Sequence, residues 1–261
     1  MKNETLTPLE QKIYFAAKDA KNSIITLEII KSWKIAKDNT LRLVLFNMQK
    51  KGWFFRLKRG IYLVTEPNQQ AIPDPFIVST YIYNGYNSFS SALYIHKLTD
   101  VVPFNVYVAT RNKNNKKEIG QYSFQALSLG KRAFGSIFYN GYLVSSIPKT
   151  IYDCLHKPLL AVGFPTVLKA IYESSMDEKQ WDEFLYYVKK FEKNAFYQRL
   201  GYLLSILPKK TKAMNLIIRT CKRHVHSNTY LLGRKWGIYI KDWKVIDNVG
   251  KKTLLSWWYY G

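Results

Sequence analysis

Acidic side chains are scarce in this chain: 18 Asp+Glu stand against 40 Lys+Arg in 261 residues, a formal net charge of +22. So few carboxylates leave little material for acid–base or metal chemistry, and the excess of cations calls for a polyanionic partner, most commonly nucleic acid. Cysteine is rarer still. Cys154 and Cys221 lie far apart, form no CxxC or other metal spacing, and read as buried thiols in a reducing compartment. No apolar run reaches the roughly 18 residues of a membrane span, and Met1-Lys2-Asn3-Glu4-Thr5 has no signal-peptide character, so a cytoplasmic location without membrane partners is expected. Glycine-rich phosphate loops, serine–histidine sets and paired-carboxylate motifs are also lacking, so neither an enzyme nor a cofactor is expected.

A hydrophobic fraction of 47% with 22% charged residues is the composition of a folded protein, and 261 residues suit two domains. The most informative stretch is Lys37 to Val64. Leu41, Val44, Leu45 and Met48 repeat at the spacing of one buried helix face, and Gly52 follows as a left-handed cap. Trp53 to Leu57 and Ile61 to Val64 then change to strand character around the turn Lys58-Arg59-Gly60. Upstream, Thr7-Pro8 offers an N-cap for a helix from Pro8 to Lys18, and Thr26 can cap a shorter one through Lys31, with Ser32 to Lys37 as the turn. Helix, helix, helix and hairpin make a winged helix-turn-helix. Residues 1–66 hold 13 Lys+Arg against 6 Asp+Glu, a net of +7 on a domain-sized piece, which favours DNA binding over a docking role.

Three prolines within Glu66 to Pro75 disfavour both helix and ladder, so 67–75 reads as a linker. Residues 67–261 carry a further 27 Lys+Arg against 12 Asp+Glu, and 76–261 form the second domain. Helical spacing is expected over Pro75–Tyr83, Ser90–Lys97 and Pro148–Leu155, and throughout Phe164–Leu207. Strands are expected over Val101–Thr110, Tyr122–Leu129, Gly135–Tyr139 and Tyr142–Ser146, with a tight hairpin at Asn140-Gly141 and a basic turn over Arg111–Lys117. The fold class is therefore α+β: an N-terminal winged helix-turn-helix, then a mixed α/β domain with a small sheet and a helical subdomain.

Ser88-Phe89-Ser90-Ser91-Ala92-Leu93-Tyr94-Ile95-His96-Lys97-Leu98-Thr99-Asp100 and Val106-Tyr107-Val108-Ala109-Thr110 follow the wing strand Gly60-Ile61-Tyr62-Leu63-Val64. Lys149-Thr150-Ile151-Tyr152-Asp153-Cys154-Leu155-His156-Lys157-Pro158 and Arg199-Leu200-Gly201-Tyr202-Leu203-Leu204 come next, and in this order the five segments resemble the AbiEi family of antitoxins and transcriptional regulators. The resemblance covers roughly residues 8 to 250. It implies a winged helix on operator inverted repeats, a C-terminal antitoxin domain, and a cognate toxin similar to nucleotidyltransferases, with direct contact between the two left open. One position departs from the pattern: the family often carries an acid before the lysine–threonine pair, and here that residue is Pro148.

For base edges, the candidates are Asn39, Thr40, Arg42 and Asn47, whose amide, hydroxyl and guanidinium groups suit groove readout. Lys34, Lys37, Lys50, Arg56, Lys58 and Arg59 are assigned to phosphates. His224 and His226 read as a surface pair without further ligands, Asp153 and Lys149 as an i, i+4 ion pair, and Asp177, Glu178, Asp182 and Glu183 as acids at a helix N-terminus. The expected partner is double-stranded operator DNA, the expected function that of an autorepressor and antitoxin. A winged-helix transcription factor without a toxin, and a winged-helix-linked nuclease, are the alternatives.

Overall fold

The computed structural model describes residues 5–20, 23–67, 72–232 and 236–260. It is an α+β fold divided into two compact units, one of residues 1–84 with 116–124 and one of 85–115 with 125–261.

The first unit begins with α1 (Pro8–Asp19), β1 (Ile24–Thr26), α2 (Leu27–Ser32) and α3 (Asp38–Lys50), followed by the hairpin strands β2 (Phe54–Lys58) and β3 (Ile61–Val64) and then α4 (Pro75–Ile82). Thr7 starts α1 through a capping box: its hydroxyl accepts from the Glu10 N–H, and the Glu10 carboxylate accepts from the Thr7 N–H at 2.7 Å. Thr26 caps α2 as its position suggested, accepting from the Ile29 N–H, but it also ends a strand the sequence concealed. That strand pairs antiparallel with β3 to give the order β1-β3-β2. The end of α3 matches expectation in detail. Gly52 adopts φ +84°, the Gly52 N–H donates to the Gln49 carbonyl, and the Trp53 N–H reaches back to the Met48 carbonyl, a Schellman closure.

Ile13, Ile25, Ile30, Leu41, Leu45, Met48 and Phe54 form the core of this unit, each contributing on the order of 1.5–3 kcal/mol by burial. The basic strand β2 carries a register shift between Arg56 and Lys58, so Lys58 faces Ile61 across the two-residue turn Arg59-Gly60, where Gly60 has φ +76°. The unit extends beyond residue 66. Asp74 caps α4 by accepting from the Phe76 and Ile77 N–H groups, and α4 packs on β2. Of the expected linker 67–75, residues 68–71 lie outside the described residues.

After α4 come β4 (Tyr86–Asn87), α5 (Phe89–Ile95), β5 (Asn105–Thr110), β6 (Asn115–Ile119), β7 (Tyr122–Ser128), β8 (Ser136–Tyr139), β9 (Tyr142–Ser145), α6 (Ile147–His156) and α7 (Phe164–Glu173); residues 116–124 of β6 and β7 belong to the first unit and the rest to the second. Then come α8 (Glu178–Phe191), α9 (Asn194–Ser205), α10 (Lys212–Lys222), and the short strands β10 (Thr229–Tyr230), β11 (Ile238–Ile240) and β12 (Val245–Asp247). The sheet order is β6-β7-β5-β4-β9-β8, with β4 parallel to β9 and antiparallel to β5. Two expectations shift here. The strand expected from Val101 starts only at Asn105, and the stretch read as a basic turn, Arg111–Lys117, runs into β6, whose polar, mostly exposed residues hide a strand from hydropathy. The Asn140-Gly141 hairpin is as expected, with both residues at positive φ between the partners Tyr139 and Tyr142.

Candidate nucleic-acid interface

On a helical wheel of about 100° per residue, the buried Leu41, Val44, Leu45 and Met48 define the inner face of α3. Opposite them lie Asn39, Leu43, Phe46 and Lys50, all exposed; Arg42 sits on one shoulder, and Thr40 and Asn47 on the other. Asn39 and Arg42 are thus open to a partner, whereas Asn47 is half-buried and Thr40 is turned furthest from the centre of the stripe. Two residues of this face escaped the sequence reading, which sought only polar side chains for base contact. Leu43 is 61% exposed and Phe46 51%. Their register opposite the buried quartet was the signal that could have found them. Lys50 holds its ammonium 4.5 Å from the Phe46 ring centroid, a cation–π contact on the outer face.

The acid at the start of α3 is paired: the Lys31 ammonium lies 2.5 Å from the Asp38 carboxylate. Lys34 lies in the turn before α3 with φ +53°, a left-handed conformation rare for a residue with a side chain, and together with Lys37 it is exposed. Along the hairpin Arg56 and Arg59 are exposed and Lys58 is half-buried. The same unit adds cations that the sequence placed elsewhere. Lys117, in the returning segment 116–124, donates to the Leu57 carbonyl at 2.6 Å and lies 5.5 Å from the Phe55 ring, bracing the basic strand β2. Burial, aided by the Arg56 charge, pushes its ammonium pKa down.

This unit is anchored internally by a second ion pair. Lys51 donates to the Glu10 carboxylate at 2.6 Å and to the Thr5 carbonyl at 2.9 Å. Burial acts to raise the Glu10 pKa, but the bonds from Lys51 and Thr7 outweigh it and hold the carboxyl below its ordinary range.

In the second unit the expected Lys149–Asp153 pair exists, but it is enclosed rather than solvated, with both side chains at most 1% exposed. Asp153 also accepts from the Ser88 hydroxyl at 2.9 Å, and the rings of Tyr86, Tyr152 and Tyr187 lie within 6.0 Å of the Lys149 ammonium. Burial pushes Asp153 up and Lys149 down, each opposed by the other's charge. A pair so enclosed is structural. Of the acidic cluster, Asp177 caps α8 through a box with Gln180, and Glu183 accepts from the Ser146 hydroxyl at 2.6 Å and the Tyr187 hydroxyl at 2.8 Å. His224 stacks on Tyr197 with centroids 3.9 Å apart. Among the described residues no three His, Cys, Asp or Glu gather as a metal site would require, and no helix is long and apolar enough to cross a membrane.

No family model and no curated protein matches the chain. Its fold is similar to that in the crystal structure of the RV2827C protein from Mycobacterium tuberculosis, with a TM-score of 0.67 over 97% of this chain and 95% of that one, at 10% sequence identity. At that identity the likeness is one of fold.

Proposed function

We propose that the chain is a DNA-binding autorepressor and antitoxin, whose first unit acts as a winged helix-turn-helix on operator inverted repeats and whose second unit counteracts a cognate nucleotidyltransferase-like toxin. The observation that carries the DNA-binding part is the outer face of α3. Asn39, Arg42, Leu43, Phe46 and Lys50 stand opposite a buried face, next to a basic hairpin holding Arg56, Lys58 and Arg59. Such a helix presents an amide and a guanidinium for bidentate contacts to adenine and guanine edges, and the hairpin cations engage phosphates. Leu43 and Phe46 add a preference that the polar residues alone would not supply, because apolar side chains in the major groove favour the thymine methyl. The antitoxin part rests on the resemblance of segments from Ser88 to Leu204 to the AbiEi family. The +15 net charge of residues 67–261 makes an acidic toxin surface or nucleic acid the natural counterpart of the second unit.

The test is a gel-shift titration against the DNA upstream of the chain's own gene and a scrambled control, at about 150 mM salt to suppress non-specific attraction. Selective binding lost in Arg42→Ala is the expected result. Equal binding to both DNAs would overturn operator recognition, and co-expression with the neighbouring gene product tests neutralisation separately.

A further inference from the structure

The strands β10, β12 and β11 form a small sheet in that order, and its two faces differ. In the central strand Val245 and Asp247 point inward, 0% and 3% exposed, where the Tyr202 hydroxyl of α9 donates to Asp247 at 2.6 Å. Successive side chains of a strand alternate between faces, so Ile246 points outward. Its register partners are Tyr230 on β10 and Tyr239 on β11. Directly paired residues share a face, so the outer surface reads Tyr230, Ile246, Tyr239 across three strands. The two tyrosines are 40% and 50% exposed, and Trp236, just ahead of β11, is 88% exposed. Two strand spacings set the tyrosines about 10 Å apart, room for each ring to take a base of its own.

Cations gather at one end of this sheet. The Thr229 N–H donates to the Lys244 carbonyl, and the Lys244 ammonium donates to the His226 carbonyl at 2.8 Å, which places Lys244 beside the start of β10. Lys241 follows directly on β11, and the Lys222 ammonium donates to the Asp242 carbonyl oxygen while lying 4.4 Å from the Trp243 ring. Gln198 ties the two loops together by donating to the Ser227 and Trp243 carbonyls. Residues 209–244 contain ten Lys+Arg against Asp242 as the only acid, a net of +9.

We propose that this face is a binding platform for single-stranded nucleic acid, separate from the duplex-reading face of the first unit: Tyr230 and Tyr239 stack on unpaired bases while Lys222, Arg223, Lys241 and Lys244 engage the phosphates. Exposed rings on a sheet stack with any base, but only with bases released from a duplex, and the surrounding cations follow the backbone. The inference does not depend on operator recognition.

The experiment is fluorescence anisotropy of the full chain with a labelled 12-mer of uridine, a 12-mer of deoxyuridine and a 12-base-pair duplex. Tyr230→Ala/Tyr239→Ala should weaken binding of the single strands by roughly tenfold per ring removed and leave the duplex affinity unchanged. Tyr230→Phe/Tyr239→Phe should bind as the parent does, because stacking needs the ring and not the hydroxyl. Four phosphate contacts predict a salt slope of about −3 for the single strands. Tyrosine-dependent binding of either oligomer supports the platform, the tighter one naming the preferred sugar. Single-strand binding that is absent, unchanged in the double alanine variant, or abolished instead by Arg42→Ala/Lys50→Ala would overturn it. Both tyrosines lie at the surface, so an unaltered melting temperature separates loss of contact from loss of fold.

Discussion

Replacing Lys149 by methionine keeps the side chain's stem in its tyrosine-lined enclosure and removes the ammonium bonded to Asp153. The Asp153 carboxyl, 1% exposed, keeps the Ser88 hydroxyl as a donor. Without its counter-charge it has to fold as the neutral acid. Taking up that proton at pH 7, against an ordinary aspartate pKa near 3.9, costs about 1.4 kcal/mol per pH unit, or roughly 4 kcal/mol. Removing one partner of a buried pair costs about 3–5 kcal/mol on independent grounds. The pH dependence follows from the same step. The folded variant holds one proton more than its unfolded chain above about pH 4, so its stability rises as pH falls, and between pH 7 and pH 5 it should regain close to 3 kcal/mol relative to the parent. Urea unfolding followed by tryptophan fluorescence suits the measurement, since Trp181, Trp236, Trp243, Trp257 and Trp258 all belong to the second unit. Lys149→Met/Asp153→Leu, which removes both charges, should lie within about 1.5 kcal/mol of the parent at pH 7. A single variant within about 1 kcal/mol of the parent at pH 7, or a gap that does not narrow towards pH 5, would refute the enclosed-charge account.

Gly201→Ala should destabilise the second unit: an added Cβ would lie 2.1 Å from the Trp243 ring, and overpacking of about 1–3 kcal/mol exceeds the ~1 kcal/mol that alanine gains in a helix. A urea midpoint equal to or above the parent's would show that Trp243 yields freely. In the first unit, Lys51→Met should lower the melting temperature above pH 4.5 and lose that effect in stronger acid. The Glu10 carboxyl is held below the ordinary glutamate value of 4.5, so its stabilisation is present above that pH and disappears as pH falls through the folded value; a constant difference from pH 6 to 3 would contradict the pairing. On operator DNA, Arg42→Ala should cost about 1–3 kcal/mol and relax the preference at one base pair, whereas Arg59→Ala should weaken all sequences alike and reduce the salt slope by about 0.9. Phe46→Ala should lose more affinity for sites with thymine under the helix than for their uracil-substituted counterparts, and equal losses in a gel shift would remove Phe46 from the proposed base-reading face.

Where a residue's environment is set by its near neighbours in sequence, the chain is legible. Leu41, Val44, Leu45 and Met48 specify the inner face of α3, and Gly52 closes it as a left-handed cap. Asn140-Gly141 specifies its hairpin for the same reason. Features set by distant partners were not legible. The strand Ile24–Thr26 is three residues long and acquires its identity from Leu63, Tyr62 and Ile61. Asn115 to Ile119 is polar and reads as a turn because an exposed strand leaves little hydropathy signal. Lys149 and Asp153 show helical spacing, but only the tertiary fold seals them from water. The candidate interface was legible in its charges and in Asn39 and Arg42. Leu43 and Phe46 were missed because only polar side chains were sought for base contact, although their register opposite the buried quartet places them outside.

The first unit is assembled from 1–84 and 116–124, so its last segment is made about 40 residues after α4 has ended. During synthesis at roughly 5–20 residues per second, that interval is a few seconds in which Lys117 has not yet reached the Leu57 carbonyl and Tyr83 lacks the Phe124 carbonyl that its hydroxyl meets at 3.1 Å. A nascent chain released at residue 84 would therefore carry α3 on an unbraced hairpin. Completion of the first unit therefore waits for the ribosome to pass through residues 85–115 of the second, and polypeptides interrupted before residue 124 would lack its last segment.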